Sequence, residues 1–352
     1  MFDYANNIKR LQIEITNLCN AYCPGCARND FGGKLKDHIY TNAMQSVVWQ
    51  RLITIDNLEN IIGITLNGAF GDPLMHPDIL EMLDHLYTVK PNVSVTISTN
   101  GSMRNEKFFN QLAEVLRKFR RHEVIFSIDG LEDTNHIYRR NTNFNKIIKN
   151  LKAFNTAGGR AEWWMVVFEH NKHQIVRAKQ MAKDLGCHRF ALRKSYEKEI
   201  EAKSYLKFPA GVMVSPDYSE VERLISLHNT EFVRDDALVG EVNEMSSAHT
   251  QDKMLTRKVC PWAEQQMIQI DHLGHIWPCC YVHEFQLDGT KPEWDRKYLS
   301  AKHGTFYNNI MVQKNLKSIL ESPFFAKYVN ESWEGVGKWK DKSPLCKKCL
   351  GQ

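Results

Sequence analysis

The chain has 352 residues, of which 43% are hydrophobic and 25% charged, with a formal net charge of +5. This is a soluble globular composition with room for one large domain and a smaller one. The N-terminus lacks the basic region and apolar core of a signal peptide, and the densest apolar run, residues 163–168, is far too short to span a bilayer. A membrane-spanning chain is therefore excluded and a cytoplasmic one expected.

The first predicted element is a strand over residues 11–16, followed directly by Cys19, Cys23 and Cys26 in the order Cys-x-x-x-Cys-x-x-Cys. That spacing offers three thiolates to one metal centre. A cubane iron–sulfur cluster normally takes four cysteines, so a loop supplying three leaves one iron open. An open position generally separates catalytic metal sites from structural ones. Taken alone, the triad also fits a zinc-binding loop.

Further strands are predicted over 62–66, 93–98, 123–128, 162–168 and 189–192, and apolar residues recur at helical spacing over 77–87, 106–118, 144–157 and 172–185. Such alternation predicts βα units around a parallel sheet. Several strands end in polar, turn-forming groups: Asn17, Asn67-Gly68, Thr99-Asn100-Gly101 and Asp129-Gly130. Each alone is an ordinary turn. Their recurrence at the carboxyl ends of successive strands points to a site there.

After residue 195 the rhythm breaks. Residues 196–258 are polar, with a proline-containing stretch at 208–216, one helix predicted over 218–228 and no strand alternation, which reads as a connecting or lid segment. Cysteines then return as Cys260, Cys279-Cys280 and Cys346-x-x-Cys349. Nine cysteines, seven of them in tight pairs or triplets, suit metal ligation in a reducing compartment better than a disulfide framework. A zinc ribbon is the alternative for the later group. Cys187, beside a strand, reads as buried packing.

With the triad, the βα repeat and the later cysteines together, the chain resembles the radical S-adenosylmethionine enzymes, in particular those with a C-terminal SPASM or twitch domain. The resemblance implies an α/β fold: a partial (β/α)6 TIM-like barrel over 1–195, a connecting segment over 196–258 and a small iron–sulfur domain over 259–352. It implies that Cys19, Cys23 and Cys26 hold a [4Fe-4S] cluster whose open iron binds S-adenosylmethionine, and that reductive cleavage gives a 5′-deoxyadenosyl radical. The family's glycine-rich motif corresponds to Asn67-Gly68-Ala69-Phe70-Gly71-Asp72-Pro73, with Asp72 in place of glutamate. Its Thr-Asn-Gly corresponds to Thr99-Asn100-Gly101 after Ser98, and its Ser-x-Asp-Gly to Ser127 through Gly130. By the same resemblance Ser127 and Asp129 lie near the ribose and methionyl carboxylate, and Arg139 or Arg140 stands where SPASM enzymes carry an arginine; Arg140 is taken as the contact. The aromatic residue usual before the third cysteine is Gly25 here; either Tyr22 substitutes for it in packing on the adenine, or the adenine lies against backbone and apolar residues of another strand.

Cys260-Pro261-Trp262 and Asp271 through Cys279 resemble the opening of a SPASM-type domain, where a hairpin with a glycine turn brings two cysteines to one cluster. By the resemblance Cys346 and Cys349 complete four ligands with Cys260 and Cys279, a closed auxiliary [4Fe-4S] site, Cys279 being taken over the adjacent Cys280 because it follows Pro278 as in the family. No cysteine follows Cys349 in this sequence, so one auxiliary cluster is expected, serving electron transfer, with a purely structural role as the alternative. The expected reaction is hydrogen abstraction from a small-molecule or peptidyl substrate, leading to oxidation, rearrangement or epimerisation, with a reductant such as flavodoxin or ferredoxin. A nucleotide or modified nucleic-acid base is the alternative substrate, compatible with a pI near 8.6 but without a recognised nucleic-acid module. A non-catalytic zinc or iron–sulfur module is the alternative of another class. Position alone nominates Arg193, Tyr196 and Tyr281 as reacting residues, with Trp163 and Glu169 as further substrate contacts.

Overall fold

The computed structural model describes residues 2–30, 34–37, 39–195, 216–232, 260–280, 282–283 and 308–330. Six strands, β1 (Arg10–Ile13), β2 (Gly63–Leu66), β3 (Ser94–Thr99), β4 (His122–Ser127), β5 (Ala161–Val166) and β6 (Arg189–Arg193), lie side by side and parallel in sequence order. The register sets Leu11 opposite Ile64, Ile64 opposite Val95, Phe126 opposite Trp163 and Trp163 opposite Phe190. One face of the sheet is thus lined largely by apolar side chains, with His122 opposite Val95 and Thr99 opposite Phe126.

Period-two alternation makes the other face polar. In β3, Val95, Ile97 and Thr99 are buried while Ser94, Thr96 and Ser98 are only half-buried. Gln12, Thr65 and Thr96 fall on one register line across that second face.

Helices cover the apolar face. In chain order they are α1 (Tyr4–Asn7), α2 (Ser46–Leu52), α3 (Ile55–Leu58), α4 (Ile79–Val89), α5 (Glu106–Leu116), α6 (Asn135–Tyr138), α7 (Phe144–Thr156) and α8 (Ile175–Asp184). α5 shows why the sequence folds this way: Asn105 caps it by accepting from the Phe108 amide, and Phe109, Leu112, Ala113 and Leu116 share one buried face. Asn143 caps α7 likewise, and Ile147, Leu151 and Phe154 bury its inner stripe. Phe109, Phe126 and Phe154 then pack at tilted angles from helix to sheet to helix, with ring centroids 5.6 and 6.2 Å apart.

Both sheet edges are extended by later parts of the chain. After helix α9 (Tyr218–His228), β7 (Thr230–Glu231) pairs antiparallel with β6. On the far edge β8 (Met267–Ile270), preceded by helix α10 (Pro261–Glu264), pairs parallel with β1, and β9 (Ile276–Trp277) folds back antiparallel on β8. Helix α11 (Leu316–Leu320) follows, closed by a capping box between Asn315 and Ser318. The mixed α/β sheet therefore has the strand order β7-β6-β5-β4-β3-β2-β1-β8-β9.

The expected six-strand barrel pattern is present, with α9 on its predicted bounds. Residues 196–258 were expected to hold no strand, yet β7 lies within them; two residues are too few to show an alternation. The helices between β1 and β2 were likewise not anticipated, because α2 and α3 are only 7 and 4 residues long. Among the described residues no helix is long and apolar enough to cross a membrane.

Candidate active site

The loop after β1 carries Cys19, Cys23 and Cys26 and is tied down on several sides. The Cys26 amide donates to the Cys23 carbonyl at 3.2 Å, and Asn29 Nδ2 donates to the same carbonyl at 3.2 Å. Tyr22 N donates to Arg140 O at 3.0 Å, and Asn20 and Asn141 exchange two side chain to backbone bonds of 3.2 and 2.7 Å. These bonds fasten the cysteine loop to the segment after α6.

Each sulfur faces a different strand end. Asn100 Nδ2, just past β3, points at Cys19 Sγ from 3.7 Å. Arg139 Nη1, from the segment after β4, points at Cys23 Sγ from 3.9 Å. The carbonyl of Ala69, in the loop after β2, lies 4.0 Å from Cys26 Sγ. Burial pushes the Cys19 thiol up to about 12 and the Cys23 thiol up to about 11, and raises Cys26 as well. Without a metal the three are protonated at neutral pH; a metal centre has to displace those protons.

Three soft thiolates with N–H donors aimed at two of them suit an iron–sulfur cluster. Among the described residues no group of three His, Cys, Asp or Glu side chains is placed to hold one metal ion. A cubane asks for another arrangement, since each thiolate ligates a different iron.

The glycine-rich loop packs against the start of the cysteine loop. A Cβ on Gly71 would sit 2.1 Å from the Thr16 carbonyl oxygen and 2.6 Å from Asn17 Cα, and one on Gly68 would sit 1.5 Å from the Gly71 carbonyl oxygen. Backbone on both sides leaves nothing flexible to yield, so Gly71→Ala is expected to cost about 1–3 kcal/mol by overpacking. A denaturant melt checks this, read as a lower midpoint at constant slope.

The two carboxylates of the motifs are engaged by protein donors. Asp72, 4% exposed, accepts from Thr99 Oγ1 at 2.9 Å, Asn100 N at 2.8 Å and Leu74 N at 3.1 Å, joining the loop after β2 to the end of β3. Asp129, fully buried, accepts from Val166 N and from Arg139 Nε, each at 2.6 Å. The guanidinium on Asp129 is therefore that of Arg139, while Arg140 contributes its carbonyl to the Tyr22 amide. Arg139 follows α6 directly, and its cap backbone, φ −81 and ψ 62, turns its side chain back over the loop.

Asn67, Gly68, Gly25, Ser98 and Ser127 are half-buried along the same strand ends, Pro73 is buried beneath them, and Tyr22 is exposed. Arg193, at the end of β6, lies with its guanidinium carbon 3.6 Å above the Trp164 ring, whose Nε1 donates to Glu162 Oε2 at 2.6 Å. Trp163, the tryptophan proposed as a substrate contact, is instead fully buried in the core, with its Nε1 bonded to the Ile128 carbonyl at 2.9 Å. Alternation gives Trp164 the polar face. Glu169 pairs with Lys172 at 2.9 Å. Tyr196 and Tyr281 lie outside the described residues.

In the C-terminal part, Cys260 precedes α10 as its cap, and its thiol is raised by burial. The hairpin of β8 and β9 turns through Gly274 at φ +83, as the sequence led one to expect, and leads into Cys279 and Cys280. Cys346 and Cys349 lie outside the described residues. Sequence reasoning missed Glu14 and His283, both buried beneath the glycine-rich loop. The signal for Glu14 was its phase with Gln12 and Thr16 on the polar face of β1.

A parallel βα sheet that gathers three thiols at the carboxyl ends of its strands defines a partial barrel α/β protein with a candidate cluster site. Residues 13–182 match the family model of the Radical SAM superfamily, which marks that stretch, just under half of the chain, as a Radical SAM domain. It is similar to a GTP 3′,8-cyclase of Desulforamulus reducens, 26% identical over 151 residues that make up 43% of this chain and 43% of the relative. It is also similar to mycofactocin maturase MftC of Mycobacterium ulcerans, 28% identical over 164 residues, 46% of this chain and 41% of the relative. These matches span less than half the length of the curated relatives. Among solved structures, SuiB of Streptococcus suis bound to precursor peptide SuiA has a TM-score of 0.57 at 16% identity, covering 91% of this chain and 66% of that chain, a likeness of fold.

Proposed function

We propose that Cys19, Cys23 and Cys26 hold a [4Fe-4S] cluster, that S-adenosylmethionine occupies its open iron, and that the enzyme abstracts a hydrogen atom from a small-molecule or peptidyl substrate. The observation that carries this reading is the approach of three separate strand-end segments to the three sulfurs. When bound, the cluster supplies the electron that cleaves S-adenosylmethionine to a 5′-deoxyadenosyl radical. The chain's own part is to hold, orient and shield. Arg139, fixed by Asp129, offers a cation for the methionyl carboxylate. The loop carbonyls around Gly68 and Gly71 offer acceptors for the ammonium, and Asn67, Ser98, Ser127 and Tyr22 line the space left for ribose and adenine. Arg193 stacked over Trp164 on the polar face supplies a cation and an aromatic surface beside that space.

Cys260, Cys279, Cys346 and Cys349 are assigned to a closed auxiliary cluster serving electron transfer, in the domain over 259–352. A maturase among the curated relatives supports the peptidyl substrate, and a GTP cyclase keeps a nucleotide as the alternative. A cytoplasmic flavodoxin or ferredoxin is the reductant.

Anaerobic reconstitution with iron and sulfide analysis, joined to an assay for 5′-deoxyadenosine, tests the proposal. Two cubanes give about eight irons per chain with reductive cleavage. Stoichiometric zinc without cleavage contradicts it. Replacing Cys260, Cys279, Cys346 and Cys349 together by alanine is expected to remove about half the iron and leave the first cluster's signal in place.

A further inference from the structure

We propose that Glu14, His283 and Asp271 form a buried positioning relay through which the C-terminal hairpin sets the glycine-rich loop for S-adenosylmethionine binding. The inference rests on the reading of that loop as part of the S-adenosylmethionine site.

Glu14 is 1% exposed and lies just beyond β1, its backbone amide bonded to the Ile270 carbonyl of β8 at 2.9 Å. Its Oε1 accepts from the Phe70 amide at 2.6 Å. A peptide unit is planar and trans, so its N–H and C=O point in opposite directions. Turning the Phe70 N–H toward Glu14 therefore turns the Ala69 carbonyl the other way, toward Cys26, whose Sγ is 4.0 Å from that oxygen. Glu14 orients the acceptor that the loop presents to the site.

The other carboxyl oxygen leads to the C-terminal segment. Among the described residues Glu14 Oε2 has no hydrogen-bond partner, and 3.7 Å away lies Nδ1 of His283, a ring 2% exposed. Gln12 Nε2 donates to Gln269 Oε1 at 3.4 Å, and Gln269 Nε2 is 2.9 Å from His283 Nδ1. With Gln269 assigned as donor, Nδ1 accepts and the ring proton sits on Nε2, 3.6 Å from Asp271 Oδ2. The imidazole stacks on Trp277 at 5.5 Å and meets the Phe70 ring edge-on at 5.1 Å. Phe70 is thus held twice, its amide by Glu14 and its ring by His283.

Asp271 anchors the far end. It accepts from Leu273 N at 2.9 Å, His275 N at 3.0 Å and Trp277 Nε1 at 2.9 Å, and pairs with His275 Nδ1 at 3.0 Å, which closes the β8–β9 turn. Burial pushes Glu14 up to about 8 and His283 down to about 4. Burial also acts to raise Asp271, but the bonds and charge of His275 outweigh it and hold the carboxylate below its usual range. A neutral Glu14 beside a neutral imidazole and one ionised Asp271 leaves a single buried negative charge, with the Arg28 guanidinium acting on Glu14 from the cysteine-loop side.

S-adenosylmethionine binding to cluster-loaded protein, measured anaerobically by titration calorimetry beside iron content and Tm, tests the relay. Glu14→Ala is expected to weaken binding by about tenfold or more, Glu14→Gln, which keeps the acceptor for Phe70, by no more than about threefold, and His283→Ala by about tenfold, all with unchanged iron. The Glu14→Ala, His283→Ala double variant should lose less than the product of the single losses, since the two act through one loop. Wild-type protein that binds no S-adenosylmethionine sinks the reading of the site. Wild-type protein that binds it while Glu14→Ala and His283→Ala bind equally well sinks the relay alone, and so does a lowered Tm with unmoved affinity. Should Glu14→Ala fail to fold, His283→Gln reads the same link from its other end, and unchanged affinity there overturns the proposal.

Discussion

Cys23→Ala is expected to reduce 5′-deoxyadenosine formation to background and to cost the protein the first cluster's iron. Cys23 is 5% exposed, lies at the centre of the loop between Cys19 and Cys26, and is the thiol toward which the half-buried Arg139 guanidinium points. An alanine leaves two thiols where a cubane with one open iron needs three. The remaining pair has no neighbouring cysteine among the described residues to recruit. Cys187→Ala is the matched control: that thiol is 1% exposed and packed in the core, so its loss costs stability while leaving iron content and cleavage intact. Iron analysis and product assay on the two variants side by side check both statements.

Arg139→Ala has the largest expected effect on stability. Asp129 is fully buried and its Oδ2 meets Arg139 Nε at 2.6 Å, with the arginine side chain 19% exposed. Deleting one member of a buried pair leaves the other charge uncompensated, a loss of about 3–5 kcal/mol. The Asp129→Asn, Arg139→Ala double variant removes both charges and is expected to be less impaired than Arg139→Ala alone, which denaturant melts of the three proteins determine. Arg139→Lys keeps the charge but cannot serve Asp129 and Cys23 through the same planar fork, so it should fold yet bind S-adenosylmethionine more weakly. Under the reading proposed above, the arginine's role is thus twofold: it neutralises Asp129 and presents its remaining N–H groups to the site.

Much of this arrangement was written in local patterns. The strand predicted at 93–98 is β3 at Ser94–Thr99, because alternating serine, threonine, valine and isoleucine can only put its apolar half on one face. α9 was legible from its spacing alone, and Asp217 caps it by accepting from the Ser219 amide. The glycine-rich loop was recognisable from its resemblance to the family motif, and the structure gives the reason for its glycines: Gly68 and Gly71 stand where no side chain fits. What stayed hidden depends on contacts between distant parts of the chain. Arg10 pairs with Met267 across the β1–β8 edge, and no local periodicity reports which edge a late strand will join. Arg139 and Arg140 are adjacent, and the turn after α6 decides which one reaches Asp129. Trp163 and Trp164 share one strand, and only its register determines which faces the helices. Glu14 reads as one polar residue of a strand, and only the fold brings His283, 269 positions further along the chain, to within 3.7 Å of it.

The central claim is that the three cysteines of the loop leave an iron open for S-adenosylmethionine. Low-temperature electron paramagnetic resonance of the reduced, cluster-loaded protein, recorded with and without S-adenosylmethionine, tests it most directly in a variant lacking Cys260, Cys279, Cys346 and Cys349, where one cluster alone contributes. A cubane signal whose g values shift on adding S-adenosylmethionine is the predicted result. A signal unchanged by S-adenosylmethionine, from protein that retains its iron, would contradict the account.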